Sequence, residues 1–124
     1  MRVTILVLAC LLIATALPCH AQAPASPESL MKKILTAVEN NDYAAFVADG
    51  TPEFKAGLTP QMLEGVSTQL VGRMKQGYEC LSLGELKQQG FKTYLWKMVI
   101  KDGGDDALIK MVMKDGLVAG FWIQ

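Results

Sequence analysis

Residues 91–124 read FKTYLWKMVIKDGGDDALIKMVMKDGLVAGFWIQ, and their alternation decides the fold. From Tyr94 to Ile100 and again from Ala107 to Met113 every second residue is apolar, the period of a half-buried strand. Gly103-Gly104 and Asp115-Gly116 interrupt the pattern where turns are needed. The stretch therefore predicts strands at about Phe91–Lys101, Asp106–Lys114 and Leu117–Gln124. Tyr78–Lys87 precedes them as a fourth, and together they form an antiparallel meander.

Turn chemistry sets the expected register. A two-residue Gly103-Gly104 loop places Ile100 opposite Ala107 and Lys97 opposite Lys110. For the last hairpin a three-residue Lys114-Asp115-Gly116 loop is preferred to a two-residue Asp115-Gly116 loop. It puts Met113 opposite Leu117 and keeps the apolar sets of both strands on one face. One face then collects Tyr94, Trp96, Met98, Ile100, Ala107, Ile109, Met111, Met113, Leu117, Ala119, Phe121 and Ile123, without a charge, and is expected to hold the helices. The other carries Thr93, Leu95, Lys97, Val99, Leu108, Lys110, Val112, Lys114, Val118 and Trp122.

Upstream the period changes to that of a helix. Ser26-Pro27-Glu28 supplies an N-cap, a first-turn proline and an acid at the positive end of the helix dipole. Leu30, Ile34 and Val38 then recur every four residues, flanked by Met31 and Leu35. Asp42 caps a short helix from Tyr43 to Ala48, stopped by Gly50. Thr51-Pro52-Glu53 opens a turn through Ala56. Thr59-Pro60 opens the longest helix, to about Lys75, with Leu63, Val66, Leu70 and Met74 on its apolar stripe and Gly77 at its end. The fold class is α+β: N-terminal helices packed on a curved, cone-like, four-stranded antiparallel sheet.

The first 21 residues follow different rules. Arg2, an apolar run from Val3 to Leu17, Pro18 and small residues have the layout of a cleavable signal peptide. The run is short for a membrane span, and the stretch before Cys10 is short for a lipoprotein signal. Cleavage after Ala21 is preferred to cleavage after Ala23, which would leave Pro24 beside the scissile bond. The expected organisation is a signal peptide over 1–21, a flexible lead-in over 22–26 and one domain over 27–124, exported to a periplasm or the exterior, with no membrane span once the signal is cut.

Cleavage would remove Arg2, Cys10, Cys19 and His20. The mature chain would keep Cys80 as its one cysteine, no histidine, and a net charge of −1 from the 12 Asp+Glu. One cysteine makes no internal disulfide. Without histidine, the commonest general base and zinc ligand are missing. A near-neutral charge gives no nucleic-acid footprint. About 100 residues make one domain with a sufficient core.

The order of helices and sheet, the segment Ala37-Val38-Glu39-Asn40-Asn41-Asp42-Tyr43 and the final hairpin Lys114-Asp115-Gly116-Leu117-Val118-Ala119-Gly120-Phe121 resemble the nuclear transport factor 2-like superfamily, with its SnoaL-like and ketosteroid-isomerase-like domains. A cystatin-like helix-on-sheet domain is the next resemblance. The first implies a cone whose mouth takes a small apolar ligand. The acids that isomerase-type members place in the cone have no counterpart on the inner face here, so no catalytic residue is carried over.

Other candidate sites have simpler explanations. Met98, Met111 and Met113 lack the histidine or cysteine partners of a copper site and read as core. Asp102, Asp105 and Asp106 do not follow calcium-loop spacing. Asp42, Asp49 and Glu53 read as caps and solvated loop residues. No catalytic residue, metal or cofactor is expected.

Two readings of function remain. In the first, a non-catalytic exported domain binds a partner or a second copy through the outer sheet face, with Leu95, Lys97, Val99, Leu108, Lys110, Val112 and Trp122 as the interface; apolar strips and an unfavourable lysine pair motivate it. In the second, a small-molecule binding or processing cone uses Tyr78, Tyr94, Trp96, Met98 and Met111 as its apolar pocket.

Overall fold

The computed structural model describes residues 25–124, so the expected signal peptide lies outside the described residues. Four helices precede four strands: α1 (Pro27–Asn40), α2 (Tyr43–Val47), α3 (Pro52–Gly57) and α4 (Pro60–Met74), then β1 (Tyr78–Gln88), β2 (Phe91–Ile100), β3 (Ala107–Lys114) and β4 (Leu117–Ile123). The strands form an open antiparallel sheet in chain order, β1-β2-β3-β4. This is the α+β architecture the periodicity predicts. Among the described residues no helix is long and apolar enough to cross a membrane.

Every helix starts on the cap its sequence offers. Side chains of Ser26, Asp42, Thr51 and Thr59 accept backbone N–H bonds from Ser29, Ala45, Phe54 and Met62 at 3.1–3.2 Å. Asn41 ends α1 in the left-handed conformation, a role its short polar side chain tolerates. Helix α1 buries Leu30, Met31, Ile34, Leu35, Ala37 and Val38 in one core with Trp96, Met98, Ile100, Ile109, Met111 and Met113 of the sheet. Phe46 stacks on Phe54 at 5.9 Å between centroids and meets the edge of Phe121 at 6.1 Å.

Two hairpins turn on two residues. Gln89-Gly90 and Asp115-Gly116 both have positive φ at each central position, the requirement of a type I′ turn. The second corrects the expected three-residue loop. Lys114 faces Leu117 and Met113 faces Val118. Taken alone, that register would turn the rest of β4 inside out. A bulge that leaves Ala119 unpaired restores it, bringing Met111 opposite Phe121 and Ile109 opposite Ile123. Val118 is therefore buried and Leu117 exposed, the reverse of the expectation, whereas Phe121 and Ile123 still pack against the core.

The β2–β3 register is corrected as well. Met98, not Ile100, faces Ala107, and residues 101–106 form a wider loop. The cause lies in α4. The Arg73 guanidinium donates to the Asp102 carboxylate at 2.5 Å and to the Asp105 carbonyl at 2.8 Å, while the Gly104 N–H donates to Asp102 at 2.9 Å. These bonds hold the loop open against α4. The slip is two residues, so every side chain keeps its face. Its local consequence is large: Lys97 now faces Leu108 and Lys110 faces Leu95, so the opposed lysine pair does not exist. Lys97 lies 3.9 Å from Asp106, and Lys110 sits over the Trp122 ring at 5.2 Å.

The two sheet edges differ. At β4, Gly50 makes a parallel bridge to Val118, with Thr51 N–H donating to Val118 and Val118 N–H donating to Asp49, each at 2.8 Å. A side chain at Gly50 would run into the Phe54 ring. At β1, everything from Leu81 through Gly90 is exposed, and a bulge at Leu83 breaks the ladder to β2.

Candidate functional site

Helix α4 carries the least regular pattern in the molecule. Its stripe toward α1 and the sheet is Leu63, Ser67, Leu70 and Met74, with Ser67 only 6% exposed. The Ser67 hydroxyl donates to the Val38 carbonyl at 2.6 Å, which satisfies a polar group that burial would otherwise penalise. Val66, expected on that stripe, is instead 42% exposed, and Met62 one turn before it is also exposed. Leu63–Val66–Leu70–Met74 and Leu63–Ser67–Leu70–Met74 both fit a helical period. Hydropathy favours valine, but packing selects serine because its hydroxyl reaches the α1 carbonyl. A helix with apolar side chains on a second, solvent-facing side breaks its own pattern, and such breaks concentrate at functional sites.

Met62 and Val66 stand on one wall of a groove of about 510 Å³. Gly65 and Gln69 extend that wall, Phe121, Trp122 and Ile123 of β4 face it, and Tyr43 and Phe46 of α2 close one side. Among the described residues, none of the lining side chains is an aspartate, glutamate, lysine, arginine or histidine. The Tyr43 hydroxyl is already engaged, donating to the Leu58 carbonyl at 2.8 Å. The Trp122 indole lies over Gly120, where a side chain of any size would collide with it.

The residues proposed from the sequence for a pocket do not line this groove. Trp96, Met98 and Met111 are in the core. Tyr94 stacks on Trp96 at 6.1 Å and lines a separate depression that mixes Leu30 and Met113 with Asp49, Lys92 and Asp115. Its phenol is held above the usual range by burial and then by the Glu85 charge. Tyr78 donates to Glu39 at 2.6 Å, pinning the end of α1 to the start of β1, and burial followed by that bond raises its pKa. Cys80, half-buried beside it, is a free thiol whose pKa burial also raises, so it is not an activated nucleophile. No group of three or more potential metal ligands occurs among the described residues.

The sheet-face residues do lie together. Leu95, Lys97, Val99, Leu108, Lys110 and Val112 are half-buried on the outer face, and Trp122 is exposed at its β4 end. Trp122 belongs to both surfaces, because it also rims the groove. The groove itself escaped the sequence reading. Its signals were an apolar Met62–Val66 pair one turn apart and a glycine between them at position 65, and neither is decisive without the fold.

No family model matches this chain, and no curated protein matches it. Among solved structures it is similar to the solution structure of RPA3114, a SEC-C motif containing protein from Rhodopseudomonas palustris. The identity is 17%, over 82% of this chain and 80% of that one, with a TM-score of 0.49. A likeness at that level carries no argument about function.

Proposed function

We propose that this chain is an exported, non-catalytic domain that holds a small apolar molecule in the groove between α4 and β4. The observation that carries the reading is the inversion on α4, where Ser67 is buried while Met62 and Val66 stand exposed on the groove wall. Leaving two apolar side chains about half exposed on an otherwise amphipathic helix forgoes roughly half of the ~1.5–3 kcal/mol that full burial of each would contribute, a loss that an apolar ligand would recover. Among the described residues the lining carries no acid or base, which argues for binding without catalysis. Helices ahead of a curved meander fit the nuclear transport factor 2-like resemblance, and Arg2 with the Val3–Leu17 run supports export.

Displacement of an environment-sensitive hydrophobic dye tests the groove. The dye should bind the protein and lose at least most of its signal with Val66→Glu, while far-UV circular dichroism stays unchanged. Equal dye binding by the variant would remove the reading. Fractionation with N-terminal sequencing tests the compartment: the protein should be recovered in the exported fraction beginning at Gln22 or Pro24, an intact Met1 there would refute signal cleavage, and its confinement to the cytoplasm would refute export.

A second reading is self-association through the outer sheet face. Exposed Leu81 and Leu86 pair with Lys97 and Thr93 there and extend the apolar strip of Leu95, Leu108 and Val112 toward the β1 edge. Sedimentation should then show a dimer that Val99→Glu dissociates. A monomer at high concentration would leave the groove as the working surface.

A further inference from the structure

We infer that the groove selects uncharged molecules that carry one neutral hydrogen-bonding group, such as alcohols, ketones or amides, over carboxylates and amines of the same size. The inference rests on the groove reading above and narrows its ligand class.

The lining decides the charge. An ion entering a groove of about 510 Å³ gives up part of its water, and among the described residues no lining side chain offers an opposite charge. Lys110 is not part of the lining: it lies on the outer face of the sheet, with its ammonium 5.2 Å from the Trp122 ring. The Tyr43 hydroxyl spends its proton on the Leu58 carbonyl and is not free to donate to an anion. What remains is neutral: the Gln61 and Gln69 carboxamides, the Thr59 hydroxyl and the Trp122 indole N–H. Gln61 and Gln69 stand at two ends of the α4 wall, eight residues and so roughly 12 Å apart along the axis. Met62, Gly65 and Val66 lie between them. That pattern, an apolar stretch with a carboxamide at either end, suits a ligand with an apolar body whose uncharged polar end can be met by one of the two amides.

Gly65 supplies an independent observation and the tool for the test. It interrupts an exposed helix, where glycine costs about 1 kcal/mol against alanine. A side chain there would meet nothing within 4 Å, so packing does not demand it. Its place on the groove wall makes that open space part of the cavity. Filling it with a large side chain should block the groove and leave the helix intact.

The experiment compares three probes of matched chain length at neutral pH: octan-1-ol, octanoate and octylammonium. Binding is followed by the Met62 methyl and Trp122 indole N–H signals in heteronuclear NMR. Octan-1-ol should shift both signals saturably, octanoate and octylammonium should bind at least about tenfold more weakly, and Gly65→Trp should abolish the octanol shifts while the core methyl signals of Met31 and Met98 stay in place. If octanoate or octylammonium binds as tightly as the alcohol, the selectivity for neutral ligands is refuted and the groove reading stands. Octanol shifts that survive Gly65→Trp would place the probe outside the groove and overturn the assignment. If none of the three probes moves either signal, the groove reading fails and this inference fails with it.

Discussion

Helices α1 and α4 are alike in length and in the way they begin, and they are used in different ways. Both start with a hydroxyl cap followed by proline, Ser26-Pro27 and Thr59-Pro60, and they run for 14 and 15 residues. Helix α1 buries six apolar side chains on one face and keeps polar residues on the other. Helix α4 buries Leu63, Ser67 and Met74, and points Met62 and Val66 elsewhere. The cap decides only where a helix begins. What distinguishes the two helices is how closely the apolar pattern matches burial: pattern and burial agree in α1, which is scaffold, and part in α4, where Met62 and Val66 stand exposed on the groove wall.

The sharpest way to break this contrast is truncation. Leu35→Ala in α1 should cost about 2–5 kcal/mol in urea unfolding, because a fully buried leucine leaves a cavity. Val66→Ala in α4 should cost less than about 0.5 kcal/mol, as exposed positions usually do. Equal losses would mean that α4 is an ordinary core helix. Removing the caps should erase the difference: Ser26→Ala and Thr59→Ala should each destabilise by about 1 kcal/mol, since each hydroxyl satisfies one N–H in the first helical turn. A much larger effect at either cap would show that the two starts are not equivalent. Gly65→Ala should raise stability by up to about 1 kcal/mol, read as an upward shift of the urea midpoint at unchanged slope. A loss would mean that the position is packed after all.

The smallest effect expected is that of pH at the far end of α4. Arg73 holds the Asp102 carboxyl down to about 2, through its hydrogen bond first and with help from the Gly104 N–H. A carboxylate depressed in the folded state stabilises it above the unfolded value, near 3.9, and that contribution fades as pH falls toward 2. The pair is solvent-accessible, so the slope should be shallow. Urea midpoints measured between pH 5 and pH 2.5 should fall less in Asp102→Asn than in the parent. Identical slopes would remove Asp102 from the acid response.

Much of the architecture was legible because short-range chemistry specified it. Ser26, Asp42, Thr51 and Thr59 announce four helices, and the alternation from Tyr94 to Met113 announces the sheet and its faces. The registers were not legible, since each depends on something distant or subtle. The β2–β3 loop is set by Arg73, some thirty residues upstream of Asp102, and the β4 register by a bulge at Ala119 that no turn residue signals. The two-residue slip left the core list intact while dissolving the lysine pair that motivated an interface. The groove was hidden for a third reason. Its residues come from α1, α2, α4, β4 and the α3–α4 linker, and only the fold assembles them.

The two tryptophans give the molecule a pair of built-in lamps. Trp96 is 4% exposed and sealed in the core, whereas Trp122 is 49% exposed at the groove rim, under the Lys110 ammonium. Blue emission from the first follows whether the domain is folded. Red, quencher-accessible emission from the second follows whether its mouth is covered. Acrylamide should therefore darken only part of the native fluorescence, and a Trp122→Phe chain should lose that quenchable part alone. Folding and occupancy would then be read separately in one unlabelled sample.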